Sequence, residues 1–176
     1  MFQVHATARL RPSPFFNSVV AEGCTNASIY NRMILPASFG DKEKEYWDLL
    51  NGVVMWDVGA ERQVQLEGPD AAKLAQILSP RDLSKCKIGQ GKYVPLCNHD
   101  GILINDPILL KLHEDLFWFS IADSDIWFWA RAIAAERGLN VKISEPDVSP
   151  LAVQGPKAGA VVSSIFGDWV HDLKYF

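Results

Sequence analysis

Residues 64–74 read VQLEGPDAAKL, an alternating run followed by Gly-Pro and then by residues that favour a helix. Residues 151–161 repeat the pattern as LAVQGPKAGAV. Alternation of polar and apolar residues is typical of a strand, and proline is tolerated at the first helical position because its missing N–H is not needed there. Each stretch therefore predicts a strand that turns at a glycine directly into a helix. The copies, marked by Gly68 and Gly155, lie 87 positions apart, which predicts an internal duplication rather than a solenoid.

The composition is that of an ordinary globular protein. Of the 176 residues, 48% are hydrophobic and 22% are charged, which excludes a disordered chain. The net charge is −4 and the basic residues form no run, so we expect no nucleic-acid partner. No apolar run approaches the roughly 20 residues of a membrane span, and no signal-peptide pattern opens the chain. We therefore expect neither a membrane partner nor a secretory leader.

Cysteines and histidines predict no metal site. The three cysteines, Cys24, Cys86 and Cys97, lack metal-type spacing and are odd in number. This predicts free thiols in a reducing, cytoplasmic compartment. The four histidines share no metal-binding spacing either. They are His5, His99, His113 and His171.

The order of elements predicts a mixed α/β (α+β) fold with largely antiparallel sheets and helices. Residues 1–40 lack periodicity and are punctuated by proline and glycine, which predicts an extended N-terminal arm with short strands or turns. Residues 41–176 are expected to form one domain of two related halves, about 53–145 and 146–176. Each half carries one copy of the Gly-Pro unit.

Local signals locate the individual elements. Asp41 is a good N-cap for a helix from Lys42 to about Leu50. Asp-Gly at 100–101 is a strong turn signal between two strands. The other predicted elements are a buried strand at 53–58, strands at 62–66 and 140–144, hairpins pairing 92–97 with 102–104 and 108–112 with 116–121, and helices at 69–78 and from a cap at Asp123 or Ser124 to Arg137.

Several separated motifs, in order along the chain, resemble one family. Residues 57–71, DVGAERQVQLEGPDA, together with 89–106 and 151–158, resemble the aminomethyltransferase (T-protein) family of folate enzymes. Four further stretches look like that family's dimethylsulfoniopropionate (DMSP) demethylase branch. They are SPRDLSK at 79–85, INDP at 104–107, SIADSD at 120–125 and residues 145–157. The resemblance runs from about Tyr30 to the last residue.

This resemblance implies a fold, a cofactor and a reaction. Members bind tetrahydrofolate, and the demethylase branch moves a methyl group from a sulfonium such as DMSP to N5 of the folate. Members are about twice as long as this chain, so the chain looks like an N-terminal half. Surface normally covered by the other half would then be exposed, and self-association through it is expected.

The resemblance also implies the residues of the folate site. Asp106 would orient the pterin and support transfer, with Asn105 beside it. Tyr93 matches a family tyrosine near the folate. The remaining predicted lining residues are Met33, Tyr30, Ser120 and Ile121.

One of these positions departs from the aminomethyltransferase pattern, in which the pair at 105 and 106 is acidic at both positions. A second carboxylate suits a cationic intermediate formed from an aminomethyl carrier. A sulfonium already carries a neutral thioether as leaving group, so alignment, which can supply roughly 7–11 kcal/mol, suffices. Asn105 is therefore expected to be tolerated in demethylation, and aspartate there is expected to change little. Ala122 likewise departs from an asparagine common in aminomethyltransferases.

Other functions stay open from the sequence. The chain resembles a glycine-cleavage aminomethyltransferase as well, although Asn105 and Ala122 count against that activity. A non-catalytic folate-fold binding protein is a second alternative, and an inert fragment is a third. An aromatic cluster at 118–129 invites cation–π binding of a sulfonium, but the helical spacing of Ile126, Trp129 and Ile133 favours a core stripe.

Overall fold

A computed structural model describes residues 7–176, so His5 and the start of the predicted arm lie outside the described residues. The helices are α1 (Phe16–Ala21), α2 (Lys42–Asn51), α3 (Ala71–Leu78), α4 (Ile126–Glu136) and α5 (Ala158–Phe166), followed by a 3-10 helix at Asp168–Asp172. The strands are β1 (Asn26–Tyr30), β2 (Met33–Ser38), β3 (Val54–Asp57), β4 (Gln63–Glu67), β5 (Gly91–Tyr93), β6 (Leu96–Cys97), β7 (Leu103–Asn105), β8 (Ile108–His113), β9 (Leu116–Ser120), β10 (Lys142–Ser144) and β11 (Leu151–Gln154). This is the mixed, largely antiparallel fold that the sequence predicts.

The chain divides into two compact units at places the sequence does not mark. Unit 1 contains the described residues up to Ala60 together with Ser149–Tyr175. Unit 2 contains Glu61–Val148 and Phe176. The cause is the pairing of β3 with β11, which joins segments almost a hundred residues apart. The described part of the predicted arm, residues 7–40, therefore belongs to a larger unit, and it contains the helix α1 and the β1–β2 hairpin.

Unit 2 is built on one five-stranded antiparallel sheet in the order β10-β4-β9-β8-β5. The helices α3 and α4 pack against it, and one face of β4, β9 and β8 contributes Val64, Phe119 and Leu109 to the core. These three side chains are at most 2% exposed. Burial of these apolar side chains stabilises the unit, at roughly 25 cal/mol per Å² of apolar surface removed from water.

The two Gly-Pro units have the same local geometry. Gly68 has φ +132° and Gly155 has φ +119°, a region that favours glycine. In the first copy the N–H of Asp70 donates to the Asn140 carbonyl, and a Cβ on Gly68 would lie 2.9 Å from that oxygen. In the second copy Lys157 donates to the Gly52 carbonyl, 2.5 Å from a Cβ on Gly155. The feature that is duplicated is thus a strand-to-helix turn. In each copy an N–H at the start of the helix donates to a backbone carbonyl of a neighbouring segment.

Two strand predictions need correction. The predicted hairpin pairs only β6 with β7, whereas β5 pairs with β8 as the edge of the large sheet. Pro95 interrupts the run, and the chain crosses between sheets there. The strand predicted as buried, β3, exposes 66% of Met55 and 47% of Trp56, because among the described strands it pairs only with β11.

Other local predictions are confirmed. Asp41 caps α2, accepting the N–H of Lys44 at 2.9 Å. The β8–β9 hairpin forms as expected. Ile126 and Ile133 are buried in the core, with Trp129 packed against it. The three cysteines are free thiols.

Within residues 7–176 no helix combines the length and hydrophobicity that crossing a bilayer requires.

Candidate functional site

A row of side chains crosses the large sheet on the face opposite the core. Strand pairing places four residues side by side, in the order Gln63, Ser120, Ile108 and Tyr93. Directly paired residues project to the same face, and their neighbours Val64, Phe119 and Leu109 project into the core. The predicted site residues Ser120 and Tyr93 therefore share one face and one end of the sheet.

At the β5 end of this row, a phenol is paired with a carboxylate. The Tyr93 Oη donates to Asp106 Oδ2 at 2.7 Å. Asp106 lies in the connection between β7 and β8, and Val94 N donates to the Pro107 carbonyl at 3.0 Å, which holds this connection against β5. Tyr93 is 48% exposed. Two residues that the resemblance predicted for one site are thus in contact at an accessible position.

The carboxylate changes the acidity of its partner. The hydrogen bond from Tyr93 to Asp106, followed by partial burial and the charge of Asp106, raises the pKa of Tyr93 above its ordinary value of 10.0. Ionising the phenol would remove the donated proton and bring two negative charges together. Tyr93 therefore remains a neutral donor up to a higher pH than an ordinary tyrosine.

We expect Asp106→Asn to lower the pKa of Tyr93 back towards its ordinary value. The measurement is the ultraviolet absorbance of tyrosinate against pH, taken as the difference between each protein and its Tyr93→Phe version. Because the folded-state pKa is raised, the bond stabilises the fold below the ordinary value and ceases to do so as the pH rises through the raised pKa. An unchanged Tyr93 titration in Asp106→Asn would contradict the paired geometry.

Asn105 is buried, and both ends of its amide are occupied by protein. Its Nδ2 donates to the Ala122 carbonyl at 3.0 Å and to Ser124 Oγ at 2.7 Å, and its Oδ1 accepts from Ala122 N at 3.0 Å. Only 4% of the residue is exposed. The amide thus ties β7 to the segment between β9 and α4. A carboxylate cannot donate to the Ala122 carbonyl, so these contacts predict a structural cost for aspartate at 105, and its expected small effect on demethylation stays a prediction.

Two other predicted residues have different surroundings. Ser120 is half-buried, and its Oγ accepts from Gln63 Nε2 at 2.9 Å. Ile121 is 2% exposed, belongs to the hydrophobic core, and donates its N–H to the Arg62 carbonyl. Ser120 is therefore in the row that holds Tyr93, whereas the side chain of Ile121 packs inward.

Tyr30 and Met33 belong to unit 1. They face each other across the β1–β2 hairpin, whose turn residues Asn31 and Arg32 have φ of 50° and 61°. Such a pair of positive angles suits a tight hairpin turn, and Asn31 Nδ2 anchors it to the Ala60 carbonyl at 3.0 Å. Met33 is 7% exposed. That these two residues line the folate site stays a prediction.

Two residues that belong to the row or contact it were not predicted from the sequence. Arg81 Nη1 donates to the Tyr93 carbonyl at 2.5 Å, which braces the strand that carries the phenol. Gln63 is 5% exposed, and its Oε1 has no hydrogen-bond partner. The signal for Arg81 was present in the SPRDLSK motif, which served only to identify a resemblance. The sequence contains no comparable signal for Gln63, because an isolated glutamine in a strand usually faces solvent.

The side chains that could bind a metal ion are not clustered in the described residues. Over residues 7–176, histidine, cysteine and acidic side chains nowhere gather in threes in a way that could hold an ion. The Nδ1 of His113 lies 2.6 Å from Asp115 Oδ1 in the β8–β9 turn, and that pair is exposed.

Comparison with known proteins identifies relatives of two kinds. The chain is 42% identical over all 176 residues to the dimethylsulfoniopropionate demethylase DmdA of Ruegeria pomeroyi, of which it covers 48%. It is 26% identical over 172 residues to an aminomethyltransferase of Porphyromonas gingivalis, covering 95% of this chain and 46% of that protein. The chain therefore spans about half the length of the curated relatives that it matches.

A solved structure and a family model agree with this. The crystal structure of the glycine cleavage system aminomethyltransferase T from Bartonella henselae superposes with a TM-score of 0.74 at 23% identity. The superposition covers 88% of this chain and 43% of that one, and it supports the fold. Residues 15–176 match the model described as the GCVT N-terminal domain. With almost its whole length matched, the chain belongs to the aminomethyltransferase (T-protein) family through its GCVT N-terminal domain.

Proposed function

We propose that this chain, together with a polypeptide like the second half of its relatives, transfers a methyl group from a sulfonium such as DMSP to N5 of tetrahydrofolate. The observation that carries the proposal is the accessible pair of Tyr93 and Asp106, hydrogen-bonded at 2.7 Å at the positions implied for the folate site. The 42% identity to a protein named as a DMSP demethylase supports the choice of donor. Three free thiols fit a reducing cytoplasm.

The residues of the row fit a reduced pterin. A pterin is flat, and it presents neighbouring N–H groups that a carboxylate can accept. The carboxylate of Asp106 lies beside the ring of Tyr93 at the exposed end of the row. A ligand with neighbouring N–H donors is the kind that this carboxylate selects.

In the proposed reaction the protein positions the folate and the methyl donor. It does not exchange protons with the donor. Tetrahydrofolate, when bound, would supply the nucleophilic N5: the N5–CH3 bond forms as the C–S bond breaks, the electron pair of the C–S bond stays on sulfur as a neutral thioether, and the N5 proton is released to solvent. Asp106 would hold the pterin in one orientation, and Tyr93, which donates a hydrogen bond to the Asp106 carboxylate, would fix the carboxylate rotamer. Arg81 would keep Tyr93 in place through the Tyr93 carbonyl.

We expect Asp106→Asn to reduce methyl transfer about 100-fold in kcat/KM, the size of effect that misplacing a reactant by about 1 Å produces. The assay uses a full-length chimaera in which this chain precedes the second half of the Ruegeria pomeroyi enzyme. Asp100→Asn is the matched control, because Asp100 is an exposed residue of the β6–β7 turn. Retention of nearly full activity by Asp106→Asn would refute the assigned role.

We also propose that the 176 residues alone form neither a complete donor pocket nor a complete folate pocket. The chain covers 48% of the relative with 42% identity, and the donor pocket is expected to draw on the rest. Calorimetry of the isolated chain with tetrahydrofolate checks this. Binding in the micromolar range would contradict it.

A further inference from the structure

The duplicated Gly-Pro unit gives a position-by-position correspondence between α3 of unit 2 and α5 of unit 1. The buried residues of α3 lie 3, 6, 7 and 10 positions after Gly68. They are Ala71, Leu74, Ala75 and Leu78. The same spacings from Gly155 identify apolar residues at every position. They are Ala158, Val161, Val162 and Ile165, which we call the α5 stripe.

The corresponding positions differ sharply in burial. Leu74 is fully buried, whereas Val161 is 38% exposed. Leu78 is 2% exposed, whereas Ile165 is 69% exposed. The sequence of α5 is therefore that of a core helix, but in unit 1 its apolar stripe has no comparable cover.

The strands before the two helices show the same contrast. Four residues before each glycine, Val64 in β4 is 2% exposed and Leu151 in β11 is 41% exposed. In unit 2, β4 lies between β10 and β9, and α3 packs against β9. In unit 1, β11 pairs with β3 and with no other described strand. Unit 1 therefore has, among the described residues, no strand in the position that β9 occupies in unit 2.

We propose that the open edge of β11 and the α5 stripe form an acceptor site for an antiparallel strand corresponding to β9, supplied by the polypeptide that makes up the second half of the family's full-length members. An unpaired edge offers N–H and C=O groups to such a strand. The relatives are about twice as long as the matched region, so they contain a polypeptide that can supply it.

The pairing in unit 2 defines the chemistry of the occupant. Phe119 lies opposite Val64, and Phe117 lies opposite Leu66. By the same register, the added strand places two large apolar side chains opposite Leu151 and Val153, on the side covered by the α5 stripe. Its intervening side chains project to the other face. This inference concerns assembly and does not depend on the proposed methyl transfer.

The test mixes this chain with the separately purified second half of the Ruegeria pomeroyi demethylase, the part of that protein that the chain does not match. Sedimentation velocity is expected to show a one-to-one complex. Hydrogen exchange is expected to slow at alternate amides of β11, because every second N–H of an edge strand points to the new partner. Ile165→Asp is expected to weaken the complex at least tenfold.

Ile102→Asp is the matched control. Ile102 is 61% exposed, is an isoleucine like Ile165, and belongs to unit 2. It is expected to leave the affinity unchanged. If the second half is insoluble alone, the two polypeptides are co-expressed with a tag on the second half, and co-purification is compared between the same two variants.

Four results would overturn the proposal. The first is a complex that leaves the exchange of the β11 amides unchanged. The second is equal weakening by both aspartate variants. The third is the absence of a complex both on mixing and on co-expression. The fourth is a dimer of this chain alone that already protects β11, which would assign the edge to a second copy.

Discussion

Gly68→Ala is expected to lower the free energy of unfolding of unit 2 by about 3 to 5 kcal/mol. Gly68 has φ +132°, where a side chain is strained. The new Cβ would also lie 2.9 Å from the Asn140 carbonyl oxygen and 3.4 Å from Val141 Cα. Both are backbone atoms, so relief requires a shift of β10 or of the strand-to-helix junction. Native-state hydrogen exchange at the buried residues of β9 measures the effect.

Gly138→Ala separates the steric clash from the backbone angle. Gly138 also has positive φ, +61°, but nothing lies within 4 Å of the position of its Cβ. Gly138→Ala is expected to lower the free energy of unfolding by about 1 kcal/mol, the ordinary penalty for a side chain at such a backbone angle. Equal losses in the two variants would mean that the close approach to Asn140 contributes nothing.

Asn105→Asp is expected to cost unit 2 about 2 to 4 kcal/mol at neutral pH, from a buried carboxylate and an unpaired Ala122 carbonyl. The Ser124 hydroxyl can rotate to donate to the carboxylate, so only one of the two donated bonds is irretrievably lost. Burial raises the pKa of the introduced acid. Its protonated form can again donate to Ala122, so the penalty is smallest near or below the unfolded pKa of about 3.9 and grows as pH rises through the raised value.

Asn98→Asp is the control for charge and residue type. Asn98 Oδ1 accepts from the N–H groups of Asp100 and Ile102, both at 2.9 Å, and a carboxylate can keep both bonds. A change within about 0.5 kcal/mol is expected, as for surface substitutions in general. Comparable losses at positions 98 and 105 would remove the structural role assigned to Asn105.

Local chemistry made parts of the fold predictable. Asp41 identified the start of α2, and Gly68 and Gly155 identified the strand-to-helix turns, because caps and positive-φ glycines act within a few residues. The pairing of β3 with β11 was not predictable, since it depends on segments far apart in the chain. The exposure of β3 follows from that pairing, so an apolar strand was taken as buried.

The candidate site also combines features that the sequence predicts with features that depend on long-range contacts. Tyr93 and Asp106 were named from the resemblance, but their mutual hydrogen bond depends on how β5 meets the β7–β8 connection. Asn105 looked like a site group next to Asp106. Its burial results from contact with residues 122–124, which no local pattern encodes. Arg81 acts through a backbone carbonyl, an interaction independent of the acceptor's residue type.

Methyl transfer by the full-length chimaera tests the central claim most directly. The chimaera is incubated with tetrahydrofolate and either DMSP or an aminomethyl-loaded carrier, and the folate and sulfur products are followed by mass spectrometry. We expect DMSP to give methyltetrahydrofolate and the corresponding thioether in equal amounts. A folded chimaera that binds tetrahydrofolate but forms no methylated folate from DMSP, or that accepts only the aminomethyl donor, would contradict the account.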